Sequence, residues 1–173
     1  MNMNSILPHI IIVIVPLIIS NTLHMIVVKR NLFDFLNYPI SNTLFGKNKT
    51  WRGFIFIPFC NALALGLLNY STNLTIEGSF YLGAILGLSY VLFELPNSFI
   101  KRKLGILPGE HHERYSNLFS LIDKMDSAFG VCFVYFILGY VSFNYALILF
   151  LCSSLTHMFL SKILVIARIK KSY

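Results

Sequence analysis

Five long apolar runs, separated by shorter polar segments, make up most of the chain. A helix needs about 20 apolar residues to cross the ~30 Å hydrocarbon core of a bilayer. The runs predict helices at Ile6–Val28, Gly53–Tyr70, Phe80–Leu95, Ser127–Val141 and Tyr145–Ala167. The third and fourth runs are short for a full span, so we expect them to extend into neighbouring polar residues, to tilt little, or to start inside a thinned region of the bilayer. The pattern therefore predicts an all-α integral membrane protein with about five transmembrane helices.

The composition excludes the main soluble classes of protein. Of the 173 residues, 56% are hydrophobic and only 12% are charged, whereas roughly 25% are charged in an ordinary soluble domain. A soluble globular domain, a disordered chain and a coiled coil are all excluded on this basis. The length leaves room for one membrane unit, so residues 1–173 are predicted to form a single domain.

The positive charges indicate the orientation in the membrane. All 14 Lys and Arg residues lie between helices 1 and 2, between helices 3 and 4, or near the end of helix 5. They are Lys29, Arg30, Lys47, Lys49, Arg52, Lys101, Arg102, Lys103, Arg114, Lys124, Lys162, Arg168, Lys170 and Lys171. The positive-inside rule then places the N-terminus outside and the C-terminus in the cytoplasm, with both basic loops on the cytoplasmic face. The net charge of +7 therefore indicates a basic cytoplasmic face on a protein of the cytoplasmic membrane rather than a nucleic-acid site. Such a face also attracts anionic lipid.

The first basic loop ends in a short segment of phosphate-binding residue types. Lys49, Thr50, Trp51 and Arg52 precede Gly53, where helix 2 begins. Lys and Arg donate hydrogen bonds to phosphate, and glycine lets backbone amides approach an anion. The spacing of a P-loop is absent. The alternative to a phosphate site is that the basic residues only fix the membrane topology, with Trp51 at the membrane interface.

Helix 3 ends in an acidic residue beside a group of cations. Glu94 lies near the helix end, Pro96 is expected to end or kink the helix, and 101–103 are all basic. A carboxylate at a membrane helix end is costly unless it faces protein or water, so Glu94 is a candidate site residue or a salt-bridge partner of the cations. Gly83 and Gly87 favour close helix packing without implying a function.

Two carboxylates stand at the predicted start of helix 4. Asp123 and Asp126 are three residues apart, which places both side chains on one helix face. Mg²⁺ prefers one or two carboxylates together with substrate phosphates. The pair is therefore a candidate Mg²⁺ site, and the alternative is that the carboxylates only stabilise the helix N-terminus.

These segments together resemble the CDP-archaeol synthase family, membrane CTP:lipid-phosphate cytidylyltransferases related to the CDP-diacylglycerol synthases. The similar stretches are Lys49–Gly53, Ser98–Ile106 with Pro108–Glu110, and the Asp123/Asp126 pair, in the same order over nearly the whole chain. The resemblance implies an enzyme of phospholipid biosynthesis. A lipid phosphomonoester would attack the α-phosphorus of CTP, with Mg²⁺, to give a CDP-lipid and pyrophosphate. The lipid stays open between an archaeol-type ether lipid phosphate and a phosphatidate-like one.

The resemblance also implies roles for individual residues. The expected catalytic residues are Lys101, Arg102 and Glu94. The expected substrate-binding residues are Lys49, Thr50, Trp51, Arg52, Asn97 and Ser98. The expected Mg²⁺ ligands are Asp123 and Asp126. The implied partners are CTP, a lipid phosphate and membrane lipids, with a homodimer left open and no nucleic acid.

Two other classes compete with the enzyme. A small polytopic transporter is expected to carry charged residues or broken helices at mid-membrane, whereas the ionisable residues here cluster at the predicted cytoplasmic helix ends. A structural membrane subunit would use its basic loops for topology alone. A CDP-alcohol phosphotransferase would need a longer aspartate-rich signature, which the chain lacks.

Overall fold

The described part of the chain forms a bundle of five α-helices. The computed structural model describes residues 5–72, 74, 76–107 and 116–169, the side chains of 116–120 excepted. The helices are α1 Ile6–Lys29, α2 Trp51–Thr72, α3 Ser79–Lys103, α4 Ser116–Ile137 and α5 Phe143–Ile166. A single 3₁₀ turn, Asp34–Leu36, lies between α1 and α2. Within the described ranges there is no β-strand, only an isolated bridge between Pro39 and Thr50. The predicted all-α fold is confirmed.

Four of the helices are long and apolar enough to cross a membrane. They are α1, α2, α3 and α5, with 24, 22, 25 and 24 residues. At 1.5 Å per residue each one exceeds the ~30 Å hydrocarbon core. The fifth, α4, has 22 residues but carries Asp123, Lys124 and Asp126 in its first half, so its continuous apolar run begins only at Ser127. The prediction of an integral membrane protein is therefore confirmed.

Helices 3 and 4 both extend into neighbouring polar residues, as one of the predicted alternatives has it. The end predicted for helix 3 at Leu95 is wrong, and the difference shapes the site. α3 does not stop at Leu95 but continues through Pro96 to Lys103. Proline lacks an N–H and is costly inside a helix, yet the turns beyond it bury Asn97 and are held by side-chain contacts to α4. Because α3 continues, Glu94, Asn97 and Lys101 stand at i, i+3 and i+7 and share one helix face.

Both bounds predicted for helix 4 are also wrong. The helix begins at Ser116, not Ser127, and its first turn contains no acidic residue. Asp123 and Asp126 therefore lie in the helix interior, which removes the alternative that they only stabilise its N-terminus. The helix ends at Ile137 because Gly139 adopts a left-handed φ of 81° and donates its N–H to the Phe136 carbonyl at 2.9 Å.

Small residues set the spacing between α2, α3 and α4. A Cβ added at Gly83 would stand 2.7 Å from the Asn61 carbonyl oxygen, and one at Gly87 would stand 2.6 Å from Pro58 Cα. Asn61, which is 1% exposed, donates from Nδ2 to the Gly83 carbonyl at 2.7 Å. On the other side of α3, the Phe93 ring lies directly against Gly130 of α4. The predicted close packing at Gly83 and Gly87 is confirmed, and it fixes α3 between α2 and α4.

Candidate active site at one end of the bundle

The loop before α2 delivers Lys49 to the site. Its two ends pair where Ile40 N donates to the Lys49 carbonyl at 2.8 Å and Trp51 N donates to the Tyr38 carbonyl at 2.9 Å. A turn at Gly46, with φ 83°, reverses the chain between them. This arrangement directs the Lys49 ammonium onto the Glu94 carboxylate of α3, with which it forms an ion pair.

The continuous face of α3 meets the aspartates of α4. Asn97 Nδ2 donates to Asp123 Oδ1 at 2.6 Å and to Asp126 Oδ2 at 3.0 Å. Lys101 Nζ donates to both carboxylate oxygens of Asp123. Asp126 Oδ1 also accepts from the Ser127 backbone N–H at 2.6 Å. One amide nitrogen thus holds the two aspartates together.

These contacts join residues from three segments into a polar cluster. We define it as Lys49, Glu94, Asn97, Lys101, Asp123 and Asp126. Its interior is shielded, since Asn97 is 7% exposed and the Lys101 side chain 14% exposed, while the Asp123 side chain is 46% exposed. The polar cluster therefore opens to the surroundings at Asp123 and is enclosed by protein behind it.

The charge around Lys49 stabilises its protonated form. Burial acts to lower the pKa of Lys49, but the charge of Glu94 and the hydrogen bond to it, with the Asp126 and Asp123 charges, raise that pKa above its ordinary value of 10.5. The Lys49 ammonium is therefore a permanent cation at neutral pH. It offsets part of the negative charge that three neighbouring carboxylates bring together.

We expect the Lys49 contribution to stability to persist through neutral pH and to disappear in strong alkali. A raised folded-state pKa stabilises the fold fully below the unfolded-state pKa and is lost as the pH rises through the folded-state value. Lys49→Met should lower the thermal midpoint by about 3–6 °C at neutral pH, and the deficit should shrink above about pH 10.5. Lys47→Met, at an exposed position of the same loop, is the matched control. A deficit that is the same at all pH values would contradict the ion-pair origin.

The structure does not bring into the polar cluster the two arginines expected in the site, Arg52 as a substrate-binding residue and Arg102 as a catalytic one. Arg52 is 4% exposed and donates from Nη1 to Asn31 Oδ1 at 3.4 Å and to the Leu32 carbonyl at 3.2 Å. Arg102 donates to the Ile106 carbonyl just beyond the end of α3. In these positions Arg52 supports the turn after α1, and Arg102 supports the chain that leaves α3.

The other predicted site residues lie at the edge of the polar cluster. Thr50 forms the bridge to Pro39, and Trp51 is 45% exposed with its ring edge-on to Phe54. Ser98 is half-buried on α3, next to Asn97. The stretch Pro108–Glu110, which carries part of the family resemblance, lies outside the described residues, as do Arg114, Lys170 and Lys171.

Sequence reasoning missed Tyr90, which pairs with His157 beside the polar cluster. His157 on α5 places Nδ1 3.1 Å from the Lys124 carbonyl and Nε2 3.3 Å from the Tyr90 hydroxyl. A carbonyl only accepts, so Nδ1 carries the proton and Nε2 accepts from Tyr90. Tyr90 sits within the electrostatic reach of Glu94 and Asp126. A single tyrosine in an apolar run does not indicate a functional role from sequence alone, whereas a histidine in the apolar run of α5 does indicate a polar contact.

The donor set fits a magnesium ion held partly by substrate. In the described part of the chain, no group of three or more His, Cys, Asp or Glu side chains is placed to hold a metal. Asp123 and Asp126 nevertheless share the Asn97 Nδ2 donor, so one oxygen of each carboxylate lies within 3.0 Å of the same atom, and a cation between the two carboxylates would take the place of that amide. Two carboxylates completed by phosphate oxygens and water are the set that Mg²⁺ commonly takes.

Comparison with known proteins identifies the family. A family model described as CarS-like CDP-archaeol synthase matches residues 3–172. A CDP-archaeol synthase of Staphylothermus marinus is 31% identical over 103 residues, and the matched segment covers 58% of this chain and 52% of that protein's length. No solved structure matches the chain significantly. Because the family model matches almost from end to end, the chain belongs to the CDP-archaeol synthase family.

Proposed function

We propose that this protein is a CTP:lipid-phosphate cytidylyltransferase of membrane phospholipid biosynthesis. The observation that carries the proposal is the polar cluster, in which the loop before α2, the last turns of α3 and the middle of α4 converge at one end of a membrane bundle. Cations that orient phosphates and carboxylates that hold a metal are the parts that nucleotidyl transfer needs. Membership of the family supports the same activity.

The proposed reaction needs no nucleophile from the protein. An oxygen of the lipid phosphomonoester attacks the α-phosphorus of CTP and forms a new P–O bond. The bond between the α-phosphorus and the oxygen bridging to the β-phosphorus breaks, and pyrophosphate leaves with that electron pair. The protein contributes by positioning two anions against each other and by neutralising charge.

The polar cluster divides into two proposed roles. Lys49 and Lys101 bind phosphate oxygens, with Glu94 and Asp123 holding the two ammonium groups in place. Asp123 and Asp126 are the Mg²⁺ ligands, held by Asn97. When bound, Mg²⁺ supplies charge neutralisation on the triphosphate.

The two arginines have a more limited proposed role. Arg52 and Arg102 each donate from Nη1 to a backbone carbonyl, which ties them to the chain segments after α1 and α3, although the Nε donor of each is buried without a partner among the described residues. We propose that they mainly fix the two chain segments that carry Lys49 and Lys101.

A small pocket lies among the helices near the polar cluster. Its walls come from α1, α3, α4 and α5, and the apolar lining residues include Ile14, Leu17 and Leu160. Tyr90 and His157 line it as well, and Tyr90 also lies close to Glu94. With a volume of about 30 Å³ the pocket is too small for a hydrocarbon chain, so a lipid phosphate is proposed as the second substrate from the family and the apolar helices. We propose that this end of the bundle faces the cytoplasm, where the positive-inside rule puts the basic loops.

The test is an assay of purified protein with labelled CTP, Mg²⁺ and a panel of ether-linked and ester-linked lipid phosphates. We expect labelled CDP-lipid from at least one member of the panel, together with pyrophosphate. Chelating divalent metal with EDTA should reduce product formation by at least about 10²-fold, since the triphosphate charge is then not neutralised. Restoring Mg²⁺ should restore it. Folded protein that forms no CDP-lipid with any member would contradict the proposal and favour a transporter or structural subunit.

A further inference from the structure

The connection between α1 and α2 exposes four large apolar side chains within seven residues. Phe35 is 71% exposed, Tyr38 69%, Phe33 49% and Leu32 46%. We call residues 32–38 the aromatic segment. Its Phe33 ring packs against Phe56 of α2 with 6.0 Å between centroids, so the segment is docked on the bundle while its other rings point outward. Exposed apolar side chains grouped in this way mark an interaction surface.

The charges beside the aromatic segment indicate what it contacts. Lys29, Arg30 and Lys47 are exposed around it, against one exposed carboxylate, Asp34. Because α1 and α2 are both long and apolar enough to cross a bilayer, we infer that the chain connecting them lies near the lipid head groups. Aromatic rings with adjacent cations at that depth suit an anionic lipid surface.

The backbone of the aromatic segment is held in a fixed shape. Asn31 and Phe33 adopt left-handed φ values of 51° and 53°, which residues other than glycine rarely take. The buried Arg52 guanidinium donates to Asn31 Oδ1 and the Leu32 carbonyl on either side of this bend. A conformation that is held from within the protein presents Phe35 and Tyr38 outward without first having to order them.

We propose that the aromatic segment is an interfacial anchor that inserts into the head-group layer of an anionic membrane and thereby fixes the position of Lys49. The link is direct, since the Tyr38 carbonyl accepts from Trp51 N and Ile40 N donates to the Lys49 carbonyl. Insertion of the aromatic segment thus sets the depth, relative to the membrane, of the loop whose Lys49 forms the ion pair with Glu94. The proposed contact of the aromatic segment with lipid does not depend on the proposed activity. The proposed effect of that contact on catalysis does rest on the proposed activity.

Trp51 is the only tryptophan in the chain and reports on this surface without any turnover. The experiment places the protein in nanodiscs of phosphatidylcholine and phosphatidylglycerol in which the lipid is brominated either near the head group or near the bilayer centre. Shallow bromines should quench Trp51 at least about twofold more than deep ones, because an interfacial ring lies at head-group depth. Replacing phosphatidylglycerol with phosphatidylcholine should weaken shallow quenching, since the cations then lose their partners.

The double variant Phe35→Ser/Tyr38→Ser tests the aromatic segment itself. Both side chains are exposed, so we expect the fold to persist, shallow lipid quenching to fall by about half and acrylamide quenching to rise by about twofold as the anchor is lost. The matched control is Tyr81→Ser, which removes an 80% exposed ring at the end of α3 far from the polar cluster. This control should change neither the lipid quenching nor the acrylamide quenching of Trp51. In an assay of CDP-lipid formation, the rate of the double variant should depend more strongly on the anionic lipid content than the rate of the wild-type protein does.

Three outcomes would overturn the proposal. Strong acrylamide quenching with no lipid quenching would place the aromatic segment in water. Protection from both quenchers would indicate that protein, such as a second copy of the chain, covers it. Equal shallow quenching in neutral and anionic nanodiscs would overturn the assignment to anionic lipid. If the protein makes no CDP-lipid but the quenching pattern is as expected, the anchor stands and only the proposed activity fails.

Discussion

Asp126→Asn should lower the rate of CDP-lipid formation by about 10²- to 10³-fold, as expected for removal of one preorganised charge from a transfer site. The substitution keeps the shape of the side chain, so the hydrogen bonds to Asn97 and the Ser127 N–H can partly persist. It removes the negative charge that a divalent cation would need. The loss should therefore appear in kcat and in the Mg²⁺ concentration needed for half-maximal rate, measured with labelled CTP.

The control for Asp126 is a carboxylate outside the polar cluster. Asp34 is exposed and accepts a hydrogen bond only from Asn37 among its described contacts. Asp34→Asn should change the rate by less than about twofold, because a solvated surface charge contributes little. A folded Asp126→Asn protein that keeps at least about a third of the wild-type rate would contradict the proposed role of Asp126 in holding the cation.

Gly87→Leu should lower the thermal midpoint by about 6–12 °C, the shift expected for an overpacking cost of about 3 kcal/mol. A Cβ at Gly87 would stand 2.6 Å from Pro58 Cα and 2.9 Å from Asn61 Cβ. Backbone and near-backbone atoms cannot rotate away, so α2 and α3 must separate. Since Lys49 directly precedes α2 and Glu94 lies on α3, the same separation should weaken their ion pair and reduce CDP-lipid formation.

The control for Gly87 adds bulk at the neighbouring position. Leu88 is 38% exposed on the outer side of α3, so Leu88→Phe should shift the midpoint by less than about 2 °C. The measurement is loss of the monodisperse peak in detergent after heating. If both variants melt together with the wild-type protein, the close approach of α2 and α3 at Gly87 is not what holds the two helices.

The helices could be predicted from the sequence more reliably than their ends. Uninterrupted apolar runs located α1 and α5 to within two residues at each end, because lipid-compatible segments must satisfy their backbone hydrogen bonds internally. The polar helix ends carry no such signal. The local preference of Pro96 suggested that helix 3 stops, and tertiary contacts of Asn97 and Lys101 with α4 overrode it.

The sequence indicated which types of residue form the candidate site, but not which of those residues contact each other. Two clusters of cations and a pair of aspartates were visible in the chain, and all were assigned to one face of the membrane. Nothing local separates Lys49, which reaches Glu94, from Arg52, which turns back to Asn31. The role of Tyr90 depends on His157 of another helix, so no pattern within α3 could indicate it.

By itself, the sequence determined that this is a helical membrane protein with its cations gathered in a few segments, since hydropathy and charge act residue by residue. Only the tertiary structure decided that α3 runs past Pro96, that Asn97 joins the two aspartates, and that Lys49 and Lys101 rather than the arginines enter the polar cluster. These outcomes depend on how closely Gly83, Gly87 and Gly130 let three helices approach. Distances between helices are properties of the packed bundle, and no single segment contains them.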